Sequence, residues 1–459
     1  MQKSLASAAI SAGCITLLCA AIEPAHAVPA FAGQTGQPCA ACHIGSFGPE
    51  LTQFGRLFKI SGYTMQGGTG TLAHLPIAAF IQTSFTSTAK GQGGPAAPDF
   101  AANNNFALDQ VSLFLAGRAT DYAGAFIQAT YDGIGHAFFL DNTDLRLTTP
   151  ITLLHHDIQI GLSANNGPMV QDPYNTTYAW NFPFIASSLA PTPAASTILG
   201  GPLLGNTLGL TVYAWLDQSL YAEAGFYDTQ APSLLSHLGE AYGPGSATAP
   251  APYVRLAYEW NWGNNSAHLV TAFFRGRYNP ATDTFAATGA LGHDTYTDVY
   301  FDAGYQFLSS NNRHTATLNG FYTHEDHSLQ GTTALGAASS PDGALNETRL
   351  TGTYYFDRTY GATLAWSKIW GSADPLLFQQ GTAIGGSANG KPDSNAYIIE
   401  ADWVPFGKDE SWHRPLANLK FGLQYTIYTE FNGGSRNYDG FGRNASDNDT
   451  LFLFAWFCF

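Results

Sequence analysis

Charge is scarce in this chain. Only 12% of its 459 residues are Asp, Glu, Lys or Arg, about half of the fraction that soluble domains carry. Much of the surface is therefore not expected to face water. The charge that is present is mostly acidic, with 34 acidic and 19 basic side chains and a formal net charge of −15. That balance argues against a nucleic-acid partner. Acidic loops would concentrate cations, although the same charge is ordinary for a solvated surface.

Long hydrophobic runs are also lacking, with one exception at the N-terminus. Lys3 is followed by an apolar stretch from Leu5 to Ile22 and by Ala25-His26-Ala27, a pattern typical of a secretory signal peptide and its cleavage site. We predict a signal peptide at 1–27 and a mature chain from Val28; a retained membrane anchor is the alternative. No later stretch approaches the roughly 20 apolar residues of a membrane helix. A chain that stays in a membrane must then cross it as a closed β-barrel.

Cysteine is rare, and its positions are informative. Two of the five cysteines, Cys14 and Cys19, leave with the predicted signal peptide. The mature chain keeps Cys39, Cys42 and Cys458, which do not resemble a disulfide framework. Cys458 lies on the last predicted strand, and we interpret it as a small apolar residue.

The first two of these cysteines belong to the motif Cys39-Ala40-Ala41-Cys42-His43. Two thiols at this spacing can form thioether bonds to the vinyl groups of a haem, and the histidine that follows can bind the iron. A disulfide between the two cysteines would not need His43, and a zinc site would need a second Cys/His pair at short spacing. The motif therefore predicts one covalently bound c-type haem with His43 as the proximal ligand.

The motif belongs to a small module that we place at 28–74. Between Glu50 and Lys59 apolar residues recur at helical spacing, and Gly62 would end that helix. Met65 follows on a Gly-rich segment that could fold back over the haem. We predict Met65 as the distal ligand, because Met/His ligation raises the haem potential. His74 is the runner-up, and Met169, another histidine or an open position are the remaining alternatives.

From Leu75 onward the hydrophobic pattern changes to period two. In the stretch 298–307, for example, apolar residues alternate with more polar ones, as expected for a strand with one apolar face. Sixteen such segments predict an all-β fold, an outer-membrane barrel of about sixteen strands that occupies 75–459. The segments start near Leu75, Asn105, Asp121, His136, Ile151, Thr207, Gln218, Pro252, Ser266, Asp294, Asn312, Leu345, Thr359, Asp393, Asn418 and Asn448.

The predicted connections alternate in length. Tight turns are expected near Thr120, Pro150, Asp217, Asn264, Asn311 and Arg358, with a somewhat longer link near Glu410. Long loops rich in Gly, Pro, Ser and Asn are expected at 91–104, 165–206, 230–251, 279–293, 327–344, 371–392 and 433–447, and only the link at 133–135 is short. Outer-membrane barrels have this alternation, and their short turns face the periplasm. An even strand number would put both chain ends there, so that the haem module enters from the periplasm and the long loops are extracellular.

A barrel of this size encloses a lumen of porin dimensions. The module at 28–74 is too small to bury much surface alone. We therefore predict that the module is inserted in the lumen, where it narrows the pore and the barrel shields the haem. The charged residues with inward parity are Asp144, Arg146, Arg255, Glu259, Asp298, Asp302, Glu400 and Asp402.

The N-terminal region resembles a known family. Gln34-Thr35-Gly36, the haem motif, Leu51, Gly55-Arg56, Phe58-Lys59 and Gly62-Tyr63 precede a barrel-length tail, as in the fused cytochrome–porin family that includes the monohaem iron-oxidising outer-membrane cytochromes. Specific motif similarity covers residues 32–63, and the rest of the chain resembles the family only in its architecture. It implies a haem on Cys39 and Cys42, His43 as proximal ligand, and electron transfer from extracellular Fe²⁺ to a soluble periplasmic carrier. The segment Ile44–Gly48 departs from the iron oxidisers' pattern.

No iron-binding cluster stands out. The closest candidates for a substrate Fe²⁺ site are His324, Glu325, Asp326 and His327, which we place in an outward-facing loop. The pair His155-His156 is expected beside a tight turn on the periplasmic side.

The leading functional prediction is an outer-membrane electron conduit, an Fe(II) oxidoreductase in contact with membrane lipid. The alternatives are a porin whose haem module acts as a plug or redox-responsive gate, and a haem enzyme that acts on peroxide or nitric oxide at an open distal position.

Overall fold

The computed structural model describes residues 30–68, 75–238, 243–280, 291–311, 313–408 and 417–459. The predicted signal peptide and His74 lie outside these residues. In these described ranges, seventeen strands join into one antiparallel sheet, in which the last strand pairs with the first. The strands are β1 Ile77–Thr88, β2 Asn105–Arg118, β3 Ala123–Asp132, β4 Ala137–Leu153, β5 His156–Asn165, β6 Thr207–Leu216, β7 Leu220–Thr229, β8 Gly245–Ala247, β9 Ala251–Trp262, β10 Asn265–Pro280, β11 Asp294–Leu308, β12 His314–Leu329, β13 Asp342–Phe356, β14 Tyr360–Gly371, β15 Ser394–Trp403, β16 Asn418–Glu430 and β17 Thr450–Cys458.

Sixteen of these strands form the wall of a closed barrel, as predicted. β8 has only three residues and pairs with the end of β10, beside β9. β7 pairs directly with β9, and β1 pairs with both β2 and β17, which closes the sheet. Within the described ranges, no helix is long and apolar enough to cross a bilayer.

The wall is apolar outside and polar inside. In β9, Tyr253, Arg255 and Glu259 are buried, whereas Val254 and Leu256 between them are exposed. A leucine-rich exterior around a polar interior is the pattern of a membrane-embedded barrel. All eight charged residues that were predicted to face the lumen are at least 95% buried, which confirms their parity.

The connections alternate between a short-turn end and a long-loop end, as predicted, with two corrections. The predicted turn near Pro150 and strand start near Ile151 are wrong: β4 continues to Leu153, the turn is Leu154-His155, and β5 starts at His156. Beyond Leu147, β4 pairs with β5 but not with β3, and a proline is tolerated where a strand has an unpaired side. The predicted loop at 327–344 is also too long, because β12 extends to Leu329 and β13 starts at Asp342.

The N-terminal module lies inside the barrel, as predicted. It contains three short helices, α1 Ala30–Thr35, α2 Cys39–Cys42 and α3 Gln53–Ile60. The Thr52 hydroxyl accepts a hydrogen bond from Gly55 N (3.2 Å) and so caps α3. At the short-turn end, Asn418 Nδ2 donates to Ser46 O (2.8 Å). Deeper in the lumen, the Tyr213 hydroxyl donates to Ile60 O (2.7 Å).

A second segment fills the lumen from the long-loop end. We call residues 166–206, between β5 and β6, the inserted loop. Met169 and Val170 of this loop are fully buried. The loop meets the module inside the barrel, where Leu51 N donates to Tyr174 O (3.2 Å) and Asn175 Nδ2 donates to Pro49 O (2.9 Å). The sequence predicted a long loop here but not its inward course.

Candidate functional site

The two motif cysteines lie one helical turn apart. Helix α2 spans Cys39 to Cys42, so their side chains project from the same face. Cys42 is a free thiol, and the structure therefore contains no disulfide between the two. Burial raises the pKa of Cys42 to about 12, and the nearby Cys39 adds to the effect. The site thus presents two closely spaced cysteines, and the thiol of Cys42 is protonated at neutral pH.

His43 leaves α2 in an extended conformation and forms an isolated bridge with Leu51. Its Nδ1 atom is buried and forms no well-aligned hydrogen bond, although the carbonyls of Pro49 and Glu50 lie close enough to interact with the ring. Burial lowers the pKa of His43 to about 4, although the carbonyls of Pro49 and Glu50 oppose the shift. The imidazole is therefore neutral at neutral pH, which is the form that binds metal.

The segment that carries Met65 folds back onto the residues before the motif. Gln34 Nε2 donates to Tyr63 O (2.6 Å) and Met65 O (2.8 Å). Gly67 N and Gly68 N both donate to Gln34 O. This course brings the backbone of Met65 beside Gln34 in α1. Met65 as the distal ligand stays a prediction.

Met169, one of the alternatives for the distal position, has other partners. Its sulfur accepts hydrogen bonds from Arg255 Nη2 (2.8 Å) and from the Tyr253 hydroxyl (3.6 Å). The thioether is thus held by Tyr253 and Arg255 of the wall.

The Ile44–Gly48 segment, which departs from the iron oxidisers' pattern, seals the module against the wall. Ile44 and Phe47 pack with Tyr355 and Val404, and Cys458 lies against this cluster. Gly45 has φ +64°, and a Cβ there would lie 2.4 Å from the Tyr355 ring. The apolar surroundings agree with the interpretation of Cys458 as a small apolar residue.

Buried polar contacts anchor the module to the wall. Arg56 of α3 is 1% exposed; its Nη2 lies 2.7 Å from Glu259 Oε1, and its Nη1 donates to Gln306 Oε1 (2.8 Å). The Tyr63 hydroxyl donates to Asp144 Oδ2 (2.6 Å). The sequence predicted the lumen charges but missed these partners, which are distant along the chain.

The inserted loop is anchored in a similar way. Its Asp172 Oδ1 lies 2.5 Å from Arg255 Nη1, and both side chains are fully buried. Near the C-terminal end of the loop, Ile198 N donates to Glu325 Oε2 (2.5 Å), and Leu199 N donates to Asp298 Oδ2 (3.3 Å). These carboxylates hold backbone N–H groups in the lumen.

The predicted loop position of the His324–His327 cluster is wrong. All four residues lie in β12, where more buried and more exposed side chains continue to alternate through Glu325 and Asp326. Glu325 and His327 are at least 91% buried and contact each other (2.9 Å), whereas His324 and Asp326 are exposed on the opposite face. In the part of the chain that the structure describes, no group of three or more His, Cys, Asp or Glu residues is arranged to hold a metal ion.

The pair His155-His156 lies at the short-turn end, as predicted. His156 Nδ1 is 2.6 Å from Asp217 Oδ2, and both side chains are about half exposed. The hydrogen bond to His156 lowers the pKa of Asp217. This contact ties two neighbouring turns together and leaves the pair away from the long-loop end.

A small cavity lies between the module, the inserted loop and the wall. Its volume is about 20 Å³, enough for about one water molecule. Its lining combines one arginine, two carboxylates, several amides and three phenylalanines. The lining residues are Glu50, Asn175, Thr176, Asn181, Phe182, Phe184, Asp302, Asn319, Gly320, Phe321, Arg349, Thr351 and Thr353.

Comparison with known proteins bears on the barrel. No family model and no curated protein matches the chain. OprB of Pseudomonas putida has a similar structure, with a TM-score of 0.51 and 11% identity over 87% of this chain and 99% of OprB. For OmpF of Salmonella typhi in complex with daunomycin, the TM-score is 0.47 and the identity 11%, over 83% of this chain and 97% of OmpF. For an anion-selective porin from Comamonas acidovorans, the TM-score is 0.45 and the identity 12%, over 83% of this chain and 98% of the porin. At these identities the likeness to OprB shows the fold, an outer-membrane barrel.

Proposed function

We propose that this protein is an outer-membrane electron conduit with one c-type haem in its lumen. The observation that carries the proposal is the haem motif on α2, held inside a closed barrel that is filled from both ends. Electrons would come from an extracellular donor, Fe²⁺, and leave to a soluble periplasmic carrier. The resemblance of 32–63 to the cytochrome–porin family supports the same reading.

The residues of the motif fit a covalent haem. Cys39 and Cys42 would hold it by thioether bonds, and His43 would bind the iron through a neutral imidazole whose Nδ1 is buried and forms no well-aligned hydrogen bond. When bound, the haem supplies a centre that accepts and releases one electron at a time. Met65 is the proposed distal ligand.

The filled lumen favours electron transfer over solute transport. The hydrocarbon layer is about 30 Å thick, and electrons do not cross it unaided. Lys59 Nζ donates to Val170 O (2.9 Å), and Asn175 Nδ2 donates to Pro49 O, so the module and the inserted loop close the path between them. A barrel closed in this way can carry a redox centre across part of the membrane while it restricts ions.

The donor side is assigned from the topology and the charge. Short turns that face the periplasm put the long loops outside. A net charge of −15 would raise the local concentration of Fe²⁺. Overall, one Fe²⁺ is oxidised to Fe³⁺ outside, and one electron reduces an oxidised carrier in the periplasm.

Anaerobic addition of Fe²⁺ to outer membranes that contain the protein tests this proposal. We expect the absorption bands of the haem to change to those of the reduced form. Cys39→Ala should abolish the bands, whereas Cys458→Ala, a cysteine change outside the motif, should leave them. A haem that dithionite reduces but Fe²⁺ does not would contradict iron as the donor. The absence of haem bands would contradict the conduit itself.

A second candidate is a porin that the module gates. Non-covalent contacts such as the ion pair between Arg56 and Glu259 favour a gate, because the module could detach from the wall when these contacts break. Planar-bilayer conductance that rises or falls with the haem oxidation state would support a gate. A closed barrel in both oxidation states would support the conduit.

A further inference from the structure

A row of polar side chains crosses the outer face of the barrel near its long-loop end. Lys368 of β14 pairs in register with Asn395 of β15, and Asn395 pairs with Glu430, the last residue of β16. Neighbouring strands lie about 4.8 Å apart, so the row extends about 10 Å along the wall. Lys368 and Asn395 have the outward parity of Leu364 and Ile399, which are about half exposed.

Aromatic side chains form the next row toward the middle of the wall. Trp366 pairs with Tyr397, and in the row beyond them Leu364 pairs with Ile399. The outer face therefore changes from aliphatic to aromatic to polar toward the long-loop end. Outer-membrane barrels carry their aromatic girdles at the membrane interface. The polar row thus lies at the level of the lipid headgroups.

The polar and aromatic rows line an open groove of about 460 Å³. Its lining residues include Trp366, Lys368, Asn395, Tyr397, Thr429 and Glu430. The Trp366 indole N–H donates to Asn395 Oδ1 (2.7 Å), and Asn395 Nδ2 donates to the Thr429 hydroxyl. The Asn395 amide therefore joins the aromatic row to the polar row and holds the two in a fixed relation.

Lys368 is the cation of this groove. Its Nζ atom lies 5.6 Å from the centre of the Trp370 ring, and among the residues that the structure describes no carboxylate is within ion-pair distance of it. By contrast, the ammonium groups of Lys90 and Lys408 each lie within 3.1 Å of a carboxylate. At the level of the headgroups, the anions that can neutralise Lys368 are those of the lipid.

We propose that this groove binds a phosphorylated glycolipid of the outer leaflet. The long loops are extracellular in the proposed function, which puts the groove in the leaflet whose lipids carry phosphate on a sugar headgroup. The phosphate would accept a charge-assisted hydrogen bond from Lys368. Sugar hydroxyls would donate to the carboxylate of Glu430 at the other end of the row, and acyl chains would cover the aromatic and aliphatic rows. The inference shares with the proposed function only this orientation and needs no haem.

Lipid binding to the purified, folded barrel in detergent tests the site. The probe is diphosphorylated lipid A, titrated into the protein and counted by native mass spectrometry. Because Lys368→Gln removes one charge-assisted hydrogen bond, its affinity should be about tenfold weaker than wild type. Lys368→Arg keeps the charge and should bind nearly as well as wild type. Lipid A stripped of its phosphates should bind wild type and Lys368→Gln equally weakly.

Lys90→Gln is the matched control. Lys90 follows β1 at the same end of the barrel and pairs with Asp447 outside the groove, so its loss should leave the affinity unchanged. The heat-modifiable gel mobility of folded barrels checks that each variant folds. Unchanged affinity in Lys368→Gln, or an equal loss in Lys90→Gln, would overturn the groove as the binding site. Displacement of lipid A by millimolar inorganic phosphate would overturn the glycolipid as its ligand. A wild-type protein that binds lipid A in this way but carries no haem would contradict the proposed function alone.

Discussion

The contact between Arg56 and Glu259 gives the sharpest test of how the module is held. Arg56 is 1% exposed and Glu259 2%, and their side chains lie 2.7 Å apart at the inner face of β9. Ser266 and Gln306 accept further hydrogen bonds from the same guanidinium. In Arg56→Met the helix keeps its length and apolar volume, but Glu259 is left as a buried charge without its partner.

The expected effect is large. Breaking a buried ion pair by removing one partner costs about 3–5 kcal/mol. Since 1.4 kcal/mol is a factor of ten, detachment of α3 from the wall should become about a hundredfold to a few thousandfold more frequent. Hydrogen exchange of the amides of 53–60 in nanodiscs should accelerate by up to this factor, and the conductance of the barrel in planar bilayers should rise.

Two further variants separate the buried pair from a general charge effect. In Arg56→Met/Glu259→Gln no unpaired charge remains, so part of the protection should return. Lys90→Met removes a side chain that is 54% exposed and pairs with Asp447, and an exposed pair contributes only about 0–1 kcal/mol. Unchanged exchange and conductance in Arg56→Met would refute the role of this anchor.

Three other predictions concern packing, pH and the distal ligand. Gly45→Ala should lower the thermal midpoint more than Gly263→Ala, because both have positive φ but only Gly45 would place a Cβ against a ring; equal losses would contradict the packing argument. Burial raises the pKa of Asp374, but backbone N–H donors from two loops outweigh it and lower the pKa below its ordinary value. This loop contact should persist at neutral pH and be lost as the pH falls through that lowered pKa. Hydrogen exchange at 372–393 should show the loss, and Asp374→Asn should remove the pH dependence. Met65→Ala should convert a six-coordinate haem spectrum to a five-coordinate one; an unchanged spectrum would exclude Met65 as distal ligand.

The barrel could be predicted from the sequence because its signals are local. Each segment contains its own period-two alternation and turn residues. Four strands, β2, β6, β11 and β16, start at the predicted residues Asn105, Thr207, Asp294 and Asn418. The haem motif is local as well. Its spacing within five residues predicts a covalent haem, and this stays a prediction; the structure adds that Cys39 and Cys42 lie on one short helix.

The interior could be predicted only in outline. The parity of a strand shows that Glu259 faces the lumen, but not that Arg56, 203 residues earlier, reaches it. The inserted loop has no local signal for its inward course, because polar loop residues suit water and a polar lumen equally. The cluster at His324 was misplaced for another reason. Its consecutive polar residues resemble a loop, but more buried and more exposed side chains alternate there as in the rest of β12.

The intact mass of the mature protein, purified from a host that attaches c-type haem, tests the central claim most directly. We predict the mass of the chain from Val28 plus one haem, which Cys39→Ala/Cys42→Ala lacks and Cys458→Ala retains. A wild-type chain at the bare polypeptide mass, folded as a barrel and produced beside a control cytochrome that receives its haem, would contradict the account.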